Sequence, residues 1–175
     1  QPHPGDQKAY SIRVRFPEQR QALCLLKVEI TVDEPILTPV NVCPVLHGFD
    51  EVMNVSVPVY SLAEITAEKL RALLQSKARL RERGWGASRV CRDYYDLWNL
   101  LQLPGVKSPD LIPLLAQKCV VRDVTYVSPD DFISEDLLAV ARAEWAQQLL
   151  PFVPDALPAA ELLPQVQSFI LSIWE

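Results

Sequence analysis

A lysine on one predicted helix has the chemistry to bind a phosphate group, and two aspartates on the neighbouring predicted helix are spaced to orient it. Lys69 lies on the rim of an apolar helical face, so a buried stem can carry its ammonium into a cleft. Such a point cation can bind the β- or γ-phosphate oxygens of a nucleotide. Asp93 and Asp96 can orient this lysine, accept a hydrogen bond from a substrate, or pair with Arg89 and Arg92 across a helical turn. Spacing alone leaves these roles open, together with the ordinary alternative of an interfacial helix lysine.

Capping and apolar spacing predict the two helices that position these residues. Ser61 and Glu64 have the spacing of a capping box, in which both side chains satisfy backbone N–H groups at a helix start. Apolar residues then recur at helical spacing and predict one buried face for each helix. These are Leu62, Ile65, Leu70, Leu73 and Leu74 in the first helix, and Tyr94, Leu97, Trp98 and Leu101 in the second.

Two strands are predicted before these helices. Alternating apolar and polar residues from Tyr10 to Phe16 predict a half-buried strand, and Ala22 to Val32 predicts its antiparallel partner. Lys27 and Glu29 then lie side by side on one face, where an ordinary solvated pair is the default interpretation. The proline-punctuated, valine-rich segment 34–60 is consistent with edge strands or extended loops that complete a small sheet.

The later sequence predicts further helices. Two Ser-Pro-Asp signals, at Ser108 and Ser128, indicate short helical starts. An amphipathic stripe begins near Ser134, and a last helix follows a proline-spaced segment. Trp98, Trp145 and Trp174 have spacings typical of core residues. We therefore predict an α+β chain with a small antiparallel or mixed sheet followed by a helical C-terminal half. The predicted parts are a flexible leader over residues 1–9, a sheet portion over 10–60 and a helical domain over 61–175.

Composition excludes several classes of protein. The chain has 175 residues, of which 49% are apolar and 22% charged, as in ordinary globular proteins. It contains no apolar run near the roughly 20 residues that cross a bilayer, so we expect a cytoplasmic protein without a membrane partner. The four cysteines form no Cys-x-x-Cys pair, and there are only two histidines, which argues against a zinc site. We expect small buried thiols rather than disulfides.

The charge of the chain is uneven. Its net charge is −5, yet residues 69–92 hold eight basic side chains and one acidic side chain, Glu82. This stretch suits a polyphosphate or an RNA backbone. Basic residues at a helix end also complement the helix dipole, and on charge alone this second interpretation is favoured.

Three short motifs carry a family resemblance. AEKLRALLQ, from Ala67 to Gln75, followed by RDYYDLWNL, from Arg92 to Leu100, resembles the two helical motifs of the AbiEii-type nucleotidyltransferase toxins. LKVEIT, from Leu26 to Thr31, is similar to the sheet motif of that family, in which a carboxylate stands between hydrophobic residues. The order and separation of the motifs make the resemblance more specific than each motif alone.

The resemblance implies the polymerase-β-like nucleotidyltransferase fold, with an NTP as substrate and Mg²⁺ as cofactor. It implies that Glu29 is a metal ligand and that Glu29 and Lys69 point into one cleft. We predict that Lys69, Asp93 and Asp96 are catalytic. Three residues, Lys27, Arg71 and Arg92, are predicted to bind substrate. An RNA end is the implied acceptor, and a cognate antitoxin is an implied partner.

One part of the family pattern is absent from the sequence. In the family an Asp-x-Asp pair, preceded by a Gly-Ser or Gly-Gly turn, supplies two further metal carboxylates, and the 175 residues contain none of these. Because the first residue is Gln1 and the only methionine is Met53, we expect a fragment that begins after these elements and is inactive by itself. The alternative is a non-catalytic interaction module derived from the family, which binds for instance an antitoxin.

Overall fold

The computed structural model describes residues 7–31, 34–50, 52–87, 89–104, 106 and 109–175. The chain divides into two compact units, Gln1–Pro35 and Ile36–Glu175. All strands of the described residues lie between Gln7 and Val59, and the α-helices follow from Leu62. The predicted α+β class is therefore confirmed.

The first unit contains the predicted antiparallel hairpin. Strand β1 (Gln7–Val14) pairs with β2 (Cys24–Thr31), and Tyr10 lies opposite Val28. Residues 1–6 of the predicted leader lie outside the described residues, whereas residues 7–9 belong to β1. The hairpin therefore begins slightly earlier than the alternation of its side chains indicated.

The second unit begins with a small sheet of its own. Strand β3 (Asn41–Pro44) pairs antiparallel with β4 (Ser56–Val59). Among the described strands these two hydrogen-bond only to each other, so the chain has two two-stranded sheets rather than one. Every strand of such a sheet is an edge strand, which explains why Pro44 and Pro58 are tolerated although they lack a backbone N–H group.

Five α-helices and two shorter helical segments follow in the described part of the second unit. The α-helices are α1 (Leu62–Arg83), α2 (Val90–Leu101), α3 (Leu111–Val121), α4 (Glu135–Glu144) and α5 (Ala159–Ser172). A 3-10 turn at Pro129–Phe132 precedes α4, and a π-helical segment at Trp145–Leu149 follows it. None of the helices in the described part of the chain combines the length and apolar character that a membrane crossing requires.

Helix α1 has a defined start and end. The Ser61 hydroxyl oxygen accepts a hydrogen bond from the Glu64 backbone N–H at 3.1 Å, as expected of an N-cap. A capping box would have the Glu64 carboxylate accept a hydrogen bond from the Ser61 backbone N–H. Instead, this carboxylate accepts hydrogen bonds from the backbone N–H groups of Leu37 and Thr38. Gly84 ends the helix in the left-handed region, at φ 72°, and its N–H donates to the Leu80 carbonyl at 2.8 Å.

The core of the second unit lies between the helices. It contains most of the predicted apolar residues of α1, α2, α4 and α5 together with α3, whereas the side chain of Leu101 lies outside the described part of the chain. Trp145 is buried, and Trp98 and Trp174 are half-buried against this core. All four cysteines are free thiols, but burial was predicted correctly only for Cys91 and Cys119, since Cys24 and Cys43 are half-buried. The Tyr94 hydroxyl donates to the Phe132 carbonyl at 2.7 Å, so the polar end of this fully buried ring is satisfied.

Candidate functional site

Lys69, Asp93 and Asp96 form one cluster between α1 and α2. The Lys69 Nζ lies 3.1 Å from Asp93 Oδ1 and 2.5 Å from Asp96 Oδ2. Asp93 is mostly buried, with 13% of its side chain exposed, whereas Asp96 is 44% exposed. The lysine thus bridges one inner and one outer carboxylate.

Helical spacing explains why these side chains meet. Asp93 and Asp96 are three residues apart on α2, so they share one face of that helix. Next to them on each helix lie fully buried residues, Leu70 on α1 and Leu97 on α2, which hold the two helices together. The cluster therefore sits at the rim of a packed interface rather than on a loop. Of the alternatives left open by the sequence, both aspartates pair with the lysine.

Burial and charge act in opposite directions on the lysine of this cluster. Partial burial would lower the pKa of Lys69, but the hydrogen bond to Asp96 and the charges of both aspartates raise it above its ordinary value. The lysine therefore stays an ammonium at neutral pH. It can act as a fixed cation but not as a base.

Asp93 behaves differently from an ordinary ion-paired carboxyl group. Burial raises the pKa of Asp93, and the opposing effect of the Lys69 ammonium does not fully cancel it. The nearby charge of Asp96 raises this pKa further. With both carboxylates ionised the cluster has a net charge of −1, so an anionic ligand has to displace a carboxylate to reach Lys69.

Arg71, a predicted substrate-binding residue, lies in a different environment. Its side chain is mostly buried, and its guanidinium donates to Glu68 and, at 2.7 Å, to Gln75. These contacts lie along α1. The structure therefore places Arg71 in a structural network rather than in the Lys69 cluster.

That network continues into the most deeply buried ion pair of the described residues. Lys118 on α3 lies 2.5 Å from Glu64 and 2.7 Å from Glu68. Exposure is 2% for the Lys118 side chain and 0% for the Glu64 side chain. The Glu64 carboxylate also accepts hydrogen bonds from the Leu37 N–H and, at 3.0 Å, from the Thr38 N–H. Two helices and the segment preceding β3 are thereby joined at one carboxylate.

Sequence reasoning did not find this network. Lys118 follows Leu114 and Leu115 at helical spacing, so it lies on the apolar face of α3. A cation at such a position needs a buried anion. The position of Lys118 on an apolar face therefore indicates a buried ion pair, but the sequence does not indicate which carboxylate is its partner.

Arg92 also lies apart from the cluster. Its Nε donates to the Gln148 carbonyl at 2.7 Å, and its guanidinium lies 4.2 Å from the centre of the Phe152 ring. These contacts join α2 to the segment after α4. Arg92 therefore has a position that links helices, and its predicted role with substrate stays a prediction.

Lys27 and Glu29 lie in the hairpin of the first unit. They point to the same face of β2 and form an ion pair. Lys69 belongs to the second unit, so the expectation that Glu29 and Lys69 share a cleft stays a prediction.

The divalent metal that the family resemblance implies needs several carboxylate ligands close together. Among the described residues no group of three or more His, Cys, Asp or Glu side chains could hold a metal ion. Glu29 is paired with Lys27, and Asp93 and Asp96 are paired with Lys69. These residues therefore do not form a metal site by themselves.

The comparisons with known proteins agree with the motifs. A sequence model of the family described as "Nucleotidyl transferase AbiEii toxin, Type IV TA system" matches residues 1–170. The searches of curated proteins and of solved structures returned no match. The family match covers nearly the whole chain and includes the sheet motif and both helical motifs. The chain therefore belongs to the AbiEii nucleotidyl transferase toxin family.

Proposed function

We propose that this chain belongs to a system for NTP-dependent transfer of a nucleotidyl group to an acceptor, with an RNA end as the acceptor, and that these 175 residues alone bind the NTP without transferring it. The family match over residues 1–170 supports the reaction class. The observation that carries the proposal is the position of Lys69. Two carboxylates from a second helix hold its ammonium at the rim of the helical core. A nucleotidyltransferase needs such a fixed cation because its substrate is a polyanion.

In the proposed reaction, an acceptor hydroxyl attacks the α-phosphorus of the NTP. The bond from this phosphorus to the oxygen that bridges it to the β-phosphate breaks, and pyrophosphate leaves. Negative charge develops on the pyrophosphate, where an ammonium such as Lys69 stabilises it. The high pKa of Lys69 keeps this charge in place throughout the physiological pH range.

The two aspartates have different proposed roles because they differ in exposure. Asp93 is the inner residue and holds the Lys69 ammonium in place. Asp96 is the outer residue and leaves Lys69 when a phosphate group takes its position. Asp96 then lies on the side of the leaving pyrophosphate, so the proton of the acceptor hydroxyl, which attacks from the opposite side, passes to solvent water. Lys27, Arg71 and Arg92 stay predictions as substrate-binding residues.

The divalent metal stays an implication of the family. Glu29 is our prediction for one of its carboxylate ligands, and the described residues offer no complete ligand set. No step of the proposed reaction is therefore assigned to a metal. Use of the cellular NTP pool is consistent with the cytoplasmic location that the composition predicts.

A second function, a non-catalytic interaction module, is favoured by one specific observation. The 175 residues contain no Asp-x-Asp pair and no Gly-Ser or Gly-Gly dipeptide. We therefore propose that these residues bind NTP but do not transfer a nucleotide by themselves. If they also fail to bind NTP, a module that binds an antitoxin protein is the better account.

Two measurements on the same purified chain separate these functions. The first follows the unfolding temperature with increasing concentrations of each NTP in the presence of Mg²⁺. The second follows the incorporation of radioactive label from α-³²P-labelled NTPs into total RNA. We expect a rise in unfolding temperature, because a ligand that binds only the folded state stabilises it. We expect no labelled RNA.

The other outcomes are equally informative. Labelled RNA would establish transferase activity and contradict the proposed inactivity of these residues. No rise in unfolding temperature with any NTP, at concentrations up to several millimolar, would contradict nucleotide binding and favour the interaction module.

A further inference from the structure

The last two turns of α1 lie at the edge of the core, where Leu80 is half-buried against it. The last buried residue of this helix is Ser76, and none of the residues from 77 to 83 is buried. At 1.5 Å per residue this segment is roughly 10 Å long. Core packing explains Leu80, and the ion pair with Asp131 explains Lys77, but neither explains the arginines of this segment.

The segment carries exposed arginines. Arg79, Arg81 and Arg83 are exposed, and within the described part of the chain none of them forms an ion pair. The only acidic side chain among residues 77–89 is Glu82. Arg79 and Arg83 are four residues apart and share one helical face, on which Cβ atoms are about 6 Å apart. This spacing presents two guanidinium groups side by side on a chain whose net charge is −5.

An exposed tryptophan follows the arginines. Trp85 lies between Gly84 and Gly86, whose φ angles of 72° and 92° belong to the left-handed region. A Cβ atom at either glycine would meet nothing within 4 Å, so the backbone conformation, not crowding, requires glycine there. The Trp85 side chain is 69% exposed. The two glycines thus build a turn in which a large aromatic ring faces solvent.

Arg81 lies on another side of α1, where it lines a pocket together with Asp123 and Asp131. The other exposed residues, together with Arg89 at the start of α2, form a surface that we call the basic turn (Arg79, Arg83, Trp85 and Arg89). Complementing the dipole of α1 explains cations in its last turn, but it does not explain an exposed tryptophan. Arginines beside an exposed aromatic ring are the combination that binds single-stranded nucleic acid, in which guanidinium groups contact phosphates and a base stacks on the ring.

We propose that the basic turn binds single-stranded RNA, with phosphates on the arginines and one base stacked on Trp85. The inference rests on the proposed function only in identifying this strand as the acceptor of the nucleotidyl group. Binding of RNA needs no NTP and no transfer. A failure of RNA binding can therefore be distinguished from a failure of the proposed reaction.

The test measures fluorescence anisotropy of an end-labelled single-stranded RNA of about 20 nucleotides, without NTP, over a series of salt concentrations. The first variant is Arg79→Gln with Arg83→Gln and Arg89→Gln, three exposed arginines of the basic turn. Its matched control is Arg13→Gln with Arg15→Gln and Arg20→Gln, which removes the same charge from three other exposed arginines. Trp85→Ala tests the stacking contact. Unfolding temperatures of all variants show whether each one is folded.

We expect the wild-type chain to bind, and the basic-turn variant to bind at least tenfold more weakly than the control variant. The slope of log Kd against log salt should fall by about 2, since each phosphate contact to a single strand contributes about 0.7. Trp85→Ala should weaken binding about tenfold without changing this slope.

Three results would overturn the proposal. The first is that the wild-type chain does not bind the RNA. The second is that the basic-turn variant and the control variant lose affinity equally, which would make binding a matter of net charge. The third is that an RNA duplex binds as tightly as the single strand and Trp85→Ala changes nothing, which would remove the stacking contact.

Discussion

Substituting Lys118 with methionine should lower the free energy of unfolding by about 3–5 kcal/mol, because it leaves a buried carboxylate without its cation. The Lys118 ammonium lies between Glu64 and Glu68. Glu68 keeps a second partner, the Arg71 guanidinium, when the lysine is removed. Glu64 keeps only its hydrogen bonds from Leu37 and Thr38. Urea denaturation of the wild-type chain and of the variant measures the difference.

Two further variants separate this explanation from simple loss of packing. Adding Glu64→Gln to Lys118→Met removes the unpaired charge, so we expect the double variant to recover a large part of the lost stability. Lys77→Met breaks an ion pair with Asp131 whose side chains are 21% and 27% exposed, and it should cost no more than about 1 kcal/mol. A cost for Lys118→Met no greater than that for Lys77→Met would contradict the explanation.

The same pair predicts how stability depends on pH. Burial would raise the pKa of Glu64, but the bonds from Lys118, Leu37 and Thr38 lower it below its ordinary value. The Glu64 carboxylate therefore contributes to the free energy of unfolding above the ordinary carboxyl pKa. This contribution is lost as the pH falls through the lowered pKa of Glu64. The pKa of Lys118 is raised by both glutamates against the effect of burial, so its contribution is present below the ordinary lysine pKa and is lost as pH rises through the raised one. The free energy of unfolding of Lys118→Met should therefore fall less steeply than that of the wild-type chain, both at low pH and at high pH.

Substituting Lys69 with methionine should weaken NTP binding by about 10- to 100-fold, as expected for losing a hydrogen bond to a charged group, worth about 1.5–3 kcal/mol. The variant also leaves Asp93 and Asp96 without their cation, and their charges then repel a triphosphate. Isothermal titration calorimetry with the NTP that binds the wild-type chain measures the change.

Lys77→Met is also the matched control for this prediction. Lys77 lies on the same helix as Lys69, is similarly exposed, and is paired with an aspartate at 2.7 Å. Loss of a helix lysine and of its ion pair is therefore common to both variants. If the two variants bind NTP with dissociation constants within about threefold of each other, Lys69 is not a phosphate ligand.

Local signals in the sequence were sufficient for most elements of the fold. Alternation predicted β1 and β2, and Ser61 marked the start of α1. The two-sheet arrangement was not predictable, because short valine-rich strands with prolines do not specify which strand they pair with. The extension of α1 to Arg83 follows from the Gly84 cap rather than from apolar spacing.

The site was predictable to a smaller extent. Lys69, Asp93 and Asp96 were singled out, but helical spacing allowed the aspartates to pair with Arg89 and Arg92 equally well. Their pairing with Lys69 is a contact between two helices and depends on how the helices pack. For the same reason the role of Glu64 was missed, since Lys118 is 54 residues further along the chain.

The central proposal is that Lys69 binds a phosphate group of the NTP directly. The family resemblance adds the separate prediction that Glu29 contributes only through a divalent metal. Calorimetric titration of NTP into the wild-type chain, Glu29→Gln and Lys69→Met, each with Mg²⁺ and again with EDTA, tests both most directly. The account predicts that both substitutions weaken binding with Mg²⁺ and that only Lys69→Met weakens it with EDTA. Wild-type affinity of Lys69→Met under both conditions, or equal effects of Glu29→Gln with and without metal, would contradict it.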